Sequence, residues 1–204
     1  MADFEIVTPR LTLRRWRDVD CTDFAQMNAD PQVTEFFPAP FSRKESDATV
    51  ERFQSEFERR GFCPWAAVER KSNSFIGFVG LHEVPEYLSF APAVEVGWRL
   101  ARRFWGRGYA TEGALSSLAF AFVDLGLDEV VSMTSVLNQR SRAVMERLGM
   151  EGNAVDDFEH PHIAEGHHLR AHVLYRITRN TWETRGSEEF SDQSHAPQAS
   201  SRED

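Results

Sequence analysis

Cysteine is nearly missing from this chain: Cys21 and Cys63 are the only two in 204 residues. They form no C-x-x-C pair, which excludes a disulfide framework and a thiolate zinc knuckle and fits reduced thiols in a cytosol. Glycine (12) and proline (9) are too sparse for a collagen-like or low-complexity chain. No apolar run approaches the roughly 20 residues of a membrane span. The opening MADFEIVTPR has no basic stretch leading into an apolar one. No secretory leader is therefore expected, and the expected location is cytoplasmic. Basic charge is also short: 23 Lys and Arg against 32 Asp and Glu leave a net charge of −9. That argues against nucleic-acid binding by bulk electrostatics, and no membrane partner is expected. A cationic substrate is compatible with this sign of charge.

What is present is ordinary globular material, 41% hydrophobic and 27% charged. A chain of this length buries its apolar residues in one core, so one domain is expected over 1–185. The last stretch, 186–204, carries five acids, one arginine and a single large apolar residue, Phe190. It cannot bury enough surface to offset the entropy of ordering, so it reads as a disordered acidic tail.

Periodicity gives the order of elements. PRLTLRR (9–15) alternates as a first strand, and Asp18 and Asp20 are placed to cap a helix carrying Phe24, Met27 and Asn28. A second helix over about 43–60 carries Val50, Phe53 and Phe57. Strands are expected at 64–70, 74–81 and 93–100, with the proline-bearing 83–92 as a loop. From 109 the period becomes helical up to Gly126; a strand at 130–136, a helix at 138–149 and a last strand at 170–179 follow. The sum is a mixed α/β (α+β) domain.

Chemistry concentrates in VEVGWRLARRFWGRGYATE (94–112), a strand entering a loop with Gly106 and Gly108 that opens a helix. Glycines let backbone approach a ligand, and successive N–H groups at a helix start cradle an anion. Arg99, Arg102, Arg103 and Arg107 fall within nine residues of one another. Charge-assisted contacts to phosphate contribute roughly 1.5–3 kcal/mol each, so a pyrophosphate ligand is the physical reading. Neither GxGxxG after a buried strand nor GxxxxGKS/T is present, so the dinucleotide and nucleotide fingerprints do not match. On spacing alone, a plain strand-to-helix turn stays open.

The run Arg103-Phe-Trp-Gly106-Arg-Gly108-Tyr109-Ala110-Thr111-Glu112 resembles the Q/R-x-x-G-x-G/A acetyl-CoA loop of the GNAT acetyltransferases. VEVGWRL resembles that family's splayed strand. Asn138-Gln-Arg-Ser141, on a helix ending Arg147-Leu-Gly149-Met150, is similar to its N-x-x-A/S … L-G-F/M helix. TPRLTLRRW and HVLYRITR resemble the ends of the RimJ/RimL-like branch. The resemblance implies a mixed, mostly antiparallel sheet of six or seven strands with a V-shaped opening, flanked by helices, and acetyl-CoA as co-substrate without a metal. Trp98, Arg99 and Leu100 would contact it through backbone groups. Arg103, Gly106, Arg107, Gly108, Tyr109, Ala110 and Thr111 would hold the pyrophosphate, with Asn138 on the pantetheine arm and Ser141 near the sulfur.

Acetyl transfer to an amine requires a neutral nucleophile, a polarised carbonyl and a protonated leaving thiolate. Many relatives place a Tyr seven residues after the Asn. Here that position is Met145, which cannot donate, so Ser141 is the candidate acid. Candidate bases are Glu95, on the strand before the loop, and His82 with Glu83 at the end of the preceding strand. At pH 7 an α-amine is neutral roughly one time in ten and a lysine roughly once in a few thousand, which favours an α-amine or small-molecule acceptor. The likeness implies a ribosomal-type protein N-terminus, with direct attack in a ternary complex. A small-amine, amino-acid or antibiotic acetyltransferase and a non-catalytic acyl-CoA-binding module are the alternatives, and family habit allows a homodimer. His160, His162, His167, His168 and His172 read as a loop over the cleft in preference to a metal site. Phe36, Phe37, Phe41, Phe53 and Phe57 read as core in preference to an acceptor pocket.

Overall fold

The structure, a computed structural model, describes residues 4–185; the expected acidic tail at 186–204 lies outside the described residues. The strands are β1 (Glu5–Val7), β2 (Leu11–Arg14), β3 (Pro64–Glu69), β4 (Ser74–Glu83), β5 (Val94–Leu100), β6 (Glu129–Ser135), β7 (Glu151–Gly152), β8 (Phe158–Glu159) and β9 (Ala171–Thr178). The α-helices are α1 (Asp20–Ala29), α2 (Arg43–Arg60), α3 (Tyr109–Ala119), extended by a π-helical turn at Phe120–Asp124, and α4 (Gln139–Arg147), and residues 179–185 are helical after the last strand. Sheet order is β1-β2-β3-β4-β5-β6-β9-β7, with β8 on β9. Nine strands stand where six or seven are expected, and three of them are not read from the sequence: β1, which precedes the expected first strand, and β7 and β8, two-residue pairings that the sequence period does not reveal.

Every neighbour pair is antiparallel except β5 with β6, which run parallel. That parallel seam holds at one register point, Glu95 with Val131. β4 and β5 pair without a break from Gly77–Leu100 to Glu83–Val94. Beyond Val96 the right-hand side of β5 therefore has no ladder partner, and the sheet opens into a V.

Local chemistry explains the helix limits. Ser42 and Glu45 form a reciprocal capping box at the start of α2, and Gly61 (φ +78°) ends it. Asn138 caps α4 by accepting from the Ser141 N–H. The expected Asp cap on α1 is not made. Buried Asp20 instead takes two hydrogen bonds from Arg14, at 2.7 and 2.8 Å, and one from the Arg17 N–H at 2.8 Å. A carboxylate that lacks water is better satisfied by a guanidinium fork than by one amide.

The sheet has two covered faces. Val79, opposite Trp98, meets α3, where a Cβ on Gly113 would lie 3.1–3.2 Å from the Val79 side chain. Phe78, opposite Arg99, meets Phe24 of α1 and Phe53 of α2. The phenylalanine cluster divides between roles. Phe53 is core, whereas Phe37 is 36% exposed and pairs edge-on with Phe41 above the second face.

Candidate active site

Strand alternation decides what β5 offers. Ala101 donates its N–H to Ile76 across the β4 seam, so the odd residues' backbone groups face β4. Val96 accepts from Ser132 Oγ of β6 at 2.9 Å, so the even residues' groups face the opening. Trp98 and Leu100 thus present backbone N–H and C=O groups to the V; the Leu100 carbonyl takes the Trp105 indole N–H at 2.7 Å. Arg99 does not fit the expected backbone role, because its groups belong to the β4 side and pair it with Phe78.

After β5 the chain makes a short 3-10 turn at Arg102–Phe104 and reaches Gly106 (φ +71°) and Gly108 (φ +79°), the residue before α3. Positive φ at both positions turns consecutive N–H groups the same way. Among the described residues, the N–H groups from Gly106 through Thr111 donate to no backbone carbonyl outside the helix; the first bond back is Glu112 N–H to Gly108. Arg103 and Arg107 are exposed beside them, over the Phe104 ring at 4.9 and 5.7 Å. Thr111 Oγ1 accepts from Arg147 at 3.3 Å, and Ala110 is half-buried.

The loop is braced from behind by residues that the sequence did not single out. Glu112 accepts from Thr8 Oγ1 at 2.6 Å, from the Arg10 N–H at 2.8 Å and from Arg10 Nε at 2.5 Å. Arg10 also donates to the Arg107 carbonyl at 2.8 Å and lies 4.8 Å from the Tyr109 ring centre. Burial opposes ionisation of Glu112, but the Thr8 and Arg10 hydrogen bonds outweigh it and hold its carboxyl below the usual range. The Tyr109 hydroxyl bonds Glu69 and has the Arg107 guanidinium beside it.

Across the V stands α4. The Asn138 amide nitrogen donates to Thr134 Oγ1 of β6 at 2.9 Å and to Ser141 Oγ at 3.0 Å. Ser141 is thereby tied to the β6 edge with its own hydroxyl proton free to donate. Met145 is buried in the core, 1% exposed.

The second face carries the titratable groups. His82 and Glu95 are register partners, with His82 Nε2 3.2 Å from Glu95 Oε2. Glu95 is 6% exposed, its Oε1 accepts from the Met133 N–H at 3.4 Å, and Oε2 has no well-angled hydrogen bond. Burial alone would lower the His82 pKa; the Glu95 carboxylate, then Glu56 and the Glu83 carbonyl, outweigh it and raise His82 above its ordinary value. Glu56, a buried carboxylate of α2 absent from the sequence reading, accepts from the Glu83 N–H at 2.8 Å. Its place in the buried stripe of α2, three residues after Phe53, is the signal the sequence held for it: a carboxylate where the period calls for an apolar residue. The Glu83 side chain turns to Arg60 at 2.7 Å, away from His82. Beside His82, Gly97 leaves bare floor: a Cβ there would meet only the His82 ring, at 3.7 and 4.0 Å.

Loops wall this face. His162 lies against Tyr87 at 4.0 Å between ring centres, and His160 against His172 at 5.0 Å. Burial lowers the pKa of both His160 and His172. Among the described residues no group of three His, Cys, Asp or Glu side chains is arranged to hold a metal ion. Burial pushes both thiols up, so neither Cys21 nor Cys63 is a ready nucleophile. No helix among the described residues is long and apolar enough to cross a membrane.

Residues 10–151 match the family profile of the acetyltransferase (GNAT) domain. The chain is 33% identical over 170 residues to the FsC-acetyl coenzyme A-N(2)-transacetylase of Aspergillus fumigatus, covering 77% of this chain and 68% of that one. It is 29% identical over 150 residues to the Bacillus subtilis protein YkkB, covering 73% and 86%. An acetyltransferase from Agrobacterium tumefaciens superposes with TM-score 0.70 at 25% identity over 87% of this chain and 95% of that one. RimL, a ribosomal L7/L12 alpha-N-protein acetyltransferase in complex with coenzyme A, shares the fold: TM-score 0.66, 17% identity, 85% of this chain and 96% of that one.

Proposed function

The chain belongs to the GNAT acetyltransferase family and is an acetyl-CoA-dependent N-acetyltransferase, and from that premise we propose that it acetylates the α-amine of a protein N-terminus by direct attack in a ternary complex. The observation that carries the cofactor half is the run of N–H groups from Gly106 to Thr111 with no protein acceptor outside α3, set at the mouth of the V. Their curvature fits a pyrophosphate, and the exposed Arg103 and Arg107 stand beside it, Arg107 next to the Tyr109 hydroxyl and Glu69. Trp98 and Leu100 are the backbone groups available to a pantetheine arm along β5, with Asn138 and Ser141 on the opposite edge.

Acetyl-CoA supplies the acetyl group and a thiolate leaving group. The protein's part is proton management on the two sides of the sheet. The His82–Glu95 pair lies on the α1/α2 face and takes the proton that the amine loses as its nitrogen forms the new bond. Ser141 lies at the β6 edge toward the α3/α4 side and hydrogen-bonds the departing thiolate, passing it a proton that its hydroxyl recovers from solvent, while His82 returns the amine's proton to solvent. The Trp98 N–H in the opening is a donor for the carbonyl oxygen. An α-amine, often neutral near pH 8, suits a base of modest strength such as a carboxylate-supported histidine.

The name of RimL, an alpha-N-protein acetyltransferase, supports a protein α-amine as acceptor, and that of the fungal FsC-acetyl coenzyme A-N(2)-transacetylase supports acetyl transfer to a nitrogen more broadly. The walled face between the 30–42 segment and the 84–93 and 158–170 loops keeps the small amine as a second reading. The test is thiol release from acetyl-CoA across peptides and small amines, alongside calorimetry of acetyl-CoA on Arg107→Glu. A loss of affinity of about tenfold or more is expected from reversing one phosphate contact. Unchanged affinity would remove the loop from the cofactor site. Binding without turnover on any acceptor would instead support an acyl-CoA-binding module.

A further inference from the structure

Among the described residues, Arg99 is a guanidinium without a counter-ion. On the face it shares with Glu95 and Gly97, its NH1 donates to Asn28 Oδ1 at 2.8 Å, the one hydrogen bond it makes among the described residues. Its charge is sandwiched by rings instead, with Phe37 at 4.2 Å, Phe41 at 4.8 Å and Phe78 at 5.5 Å. Five N–H donors in a rigid fork match a carboxylate, and most of them are unused here. Burial and the neighbouring cation Arg52 bring its pKa down to about 10. In a chain of net charge −9, Arg99 thus carries a charge that no acid among the described residues pairs, and the second cation beside it, Arg52, has Glu56 as its acidic neighbour. Phe37, which lies over the guanidinium, is 36% exposed and Arg99 is largely but not fully buried, so the way from solvent to the fork runs past the Phe37 ring.

The position of Arg99 relative to the base is fixed by the strand. Glu95, Gly97 and Arg99 project from one face at steps of about 7 Å, and the middle position is bare. We propose that Arg99, with Asn28, Phe37 and Phe41, is a subsite for a carboxylate on the acceptor. The acceptor is then an amine whose nitrogen meets His82–Glu95 while an acidic group about 7–13 Å away docks on Arg99. An Asp or Glu side chain in the first few positions of a peptide meets this requirement, as does the distal carboxylate of a small amino acid. The aromatic walls exclude water and strengthen the pairing.

This inference rests on the acetyltransferase reading and on the base assignment above. The test compares wild-type kcat/KM on short peptides that carry Asp or Asn at the second or third position, and on small amines with and without a distal carboxylate. A preference of at least tenfold for the acidic member is expected. Its appearance in the peptide series or in the small-amine series names the source. In Arg99→Gln the preference falls to near one through KM, while acetyl-CoA affinity by calorimetry is unchanged. In Asn28→Asp the fork receives an internal carboxylate, and the preference is again lost with the charge of Arg99 retained. Calorimetry of the acetylated acidic and amide peptides with coenzyme A reads the subsite without turnover. Equal wild-type handling of acidic and amide acceptors overturns the subsite and leaves the transferase reading standing. Absence of turnover on every acceptor overturns that reading, and the product-binding arm still decides the subsite. A weakened acetyl-CoA affinity in Arg99→Gln would assign the side chain to the cofactor and also overturn it.

Discussion

At the scale of the residue, proton transfer depends on how neighbours set the pKa of His82. Its carboxylate neighbours raise it above the ordinary histidine value, so kcat/KM for an amine rises with pH through a limb lying above that value. Removing a negative charge stabilises neutral imidazole, so Glu56→Gln is expected to move the limb to lower pH with little loss at the plateau, a shift read from a pH–rate profile. Glu95→Gln moves it in the same direction and lowers the plateau. By linkage, protonation of His82 stabilises the fold below about pH 6.5, and that increment fades as pH climbs through the folded-state pKa. Ser141→Ala is expected to lower kcat about tenfold or more while leaving acetyl-CoA affinity within a few-fold, which steady-state kinetics and calorimetry separate. Glu95 and His82 were both visible as candidates in the sequence. Their contact was not, because it follows from the β4–β5 register, which neither strand alone specifies.

At the scale of the element, β4 and the loop before α3 carry the site's geometry. Gly77 sits at the irregularity in the β3–β4 register with φ +137°, and a Cβ there would lie 2.1 Å from the Arg99 carbonyl. Gly77→Ala combines a disfavoured backbone with a clash against another strand, so a loss of about 3 kcal/mol or more is expected in denaturant unfolding. The brace behind the loop gives a gentler prediction. Glu112→Gln keeps the shape but weakens the bonds from Thr8 and Arg10 and is expected to cost about 1–2 kcal/mol of stability. It should also weaken acetyl-CoA binding several-fold, without touching the ligand's side of the loop. The limits of α2 and α4 were legible to within a residue or two, because Ser42, Gly61, Asn138 and Gly149 mark their ends chemically, whereas the stretch expected as one helix from 109 to Gly126 is α3 to Ala119 followed by a π-helical turn, Phe120–Asp124. The brace was not legible, since Thr8 and Arg10 lie about a hundred residues from Glu112 in the chain.

At the scale of the whole molecule, two sets of elements meet at a seam held by a single register point, and a ligand lying along that seam would tie them together. Saturating acetyl-CoA at a hundredfold over its Kd should stabilise the fold by about 2.7 kcal/mol, or about 5–10 °C in Tm by scanning calorimetry. The same addition to Arg107→Glu should give a smaller shift at equal ligand concentration. Local patterns in the sequence determined the order of strands and helices, the glycine loop before α3 and the single-core composition. Those features depend on residues close together in the chain, where period, capping and backbone freedom act. The tertiary structure alone decided that β5 and β6 part after Val96, that Arg99 turns its side chain to the α1/α2 face, and that Glu56 and Glu95 flank one histidine. Each of these is a contact between distant segments, set by strand register and by which face a packed helix covers. A one-residue change of register would exchange the faces and separate every one of these partners.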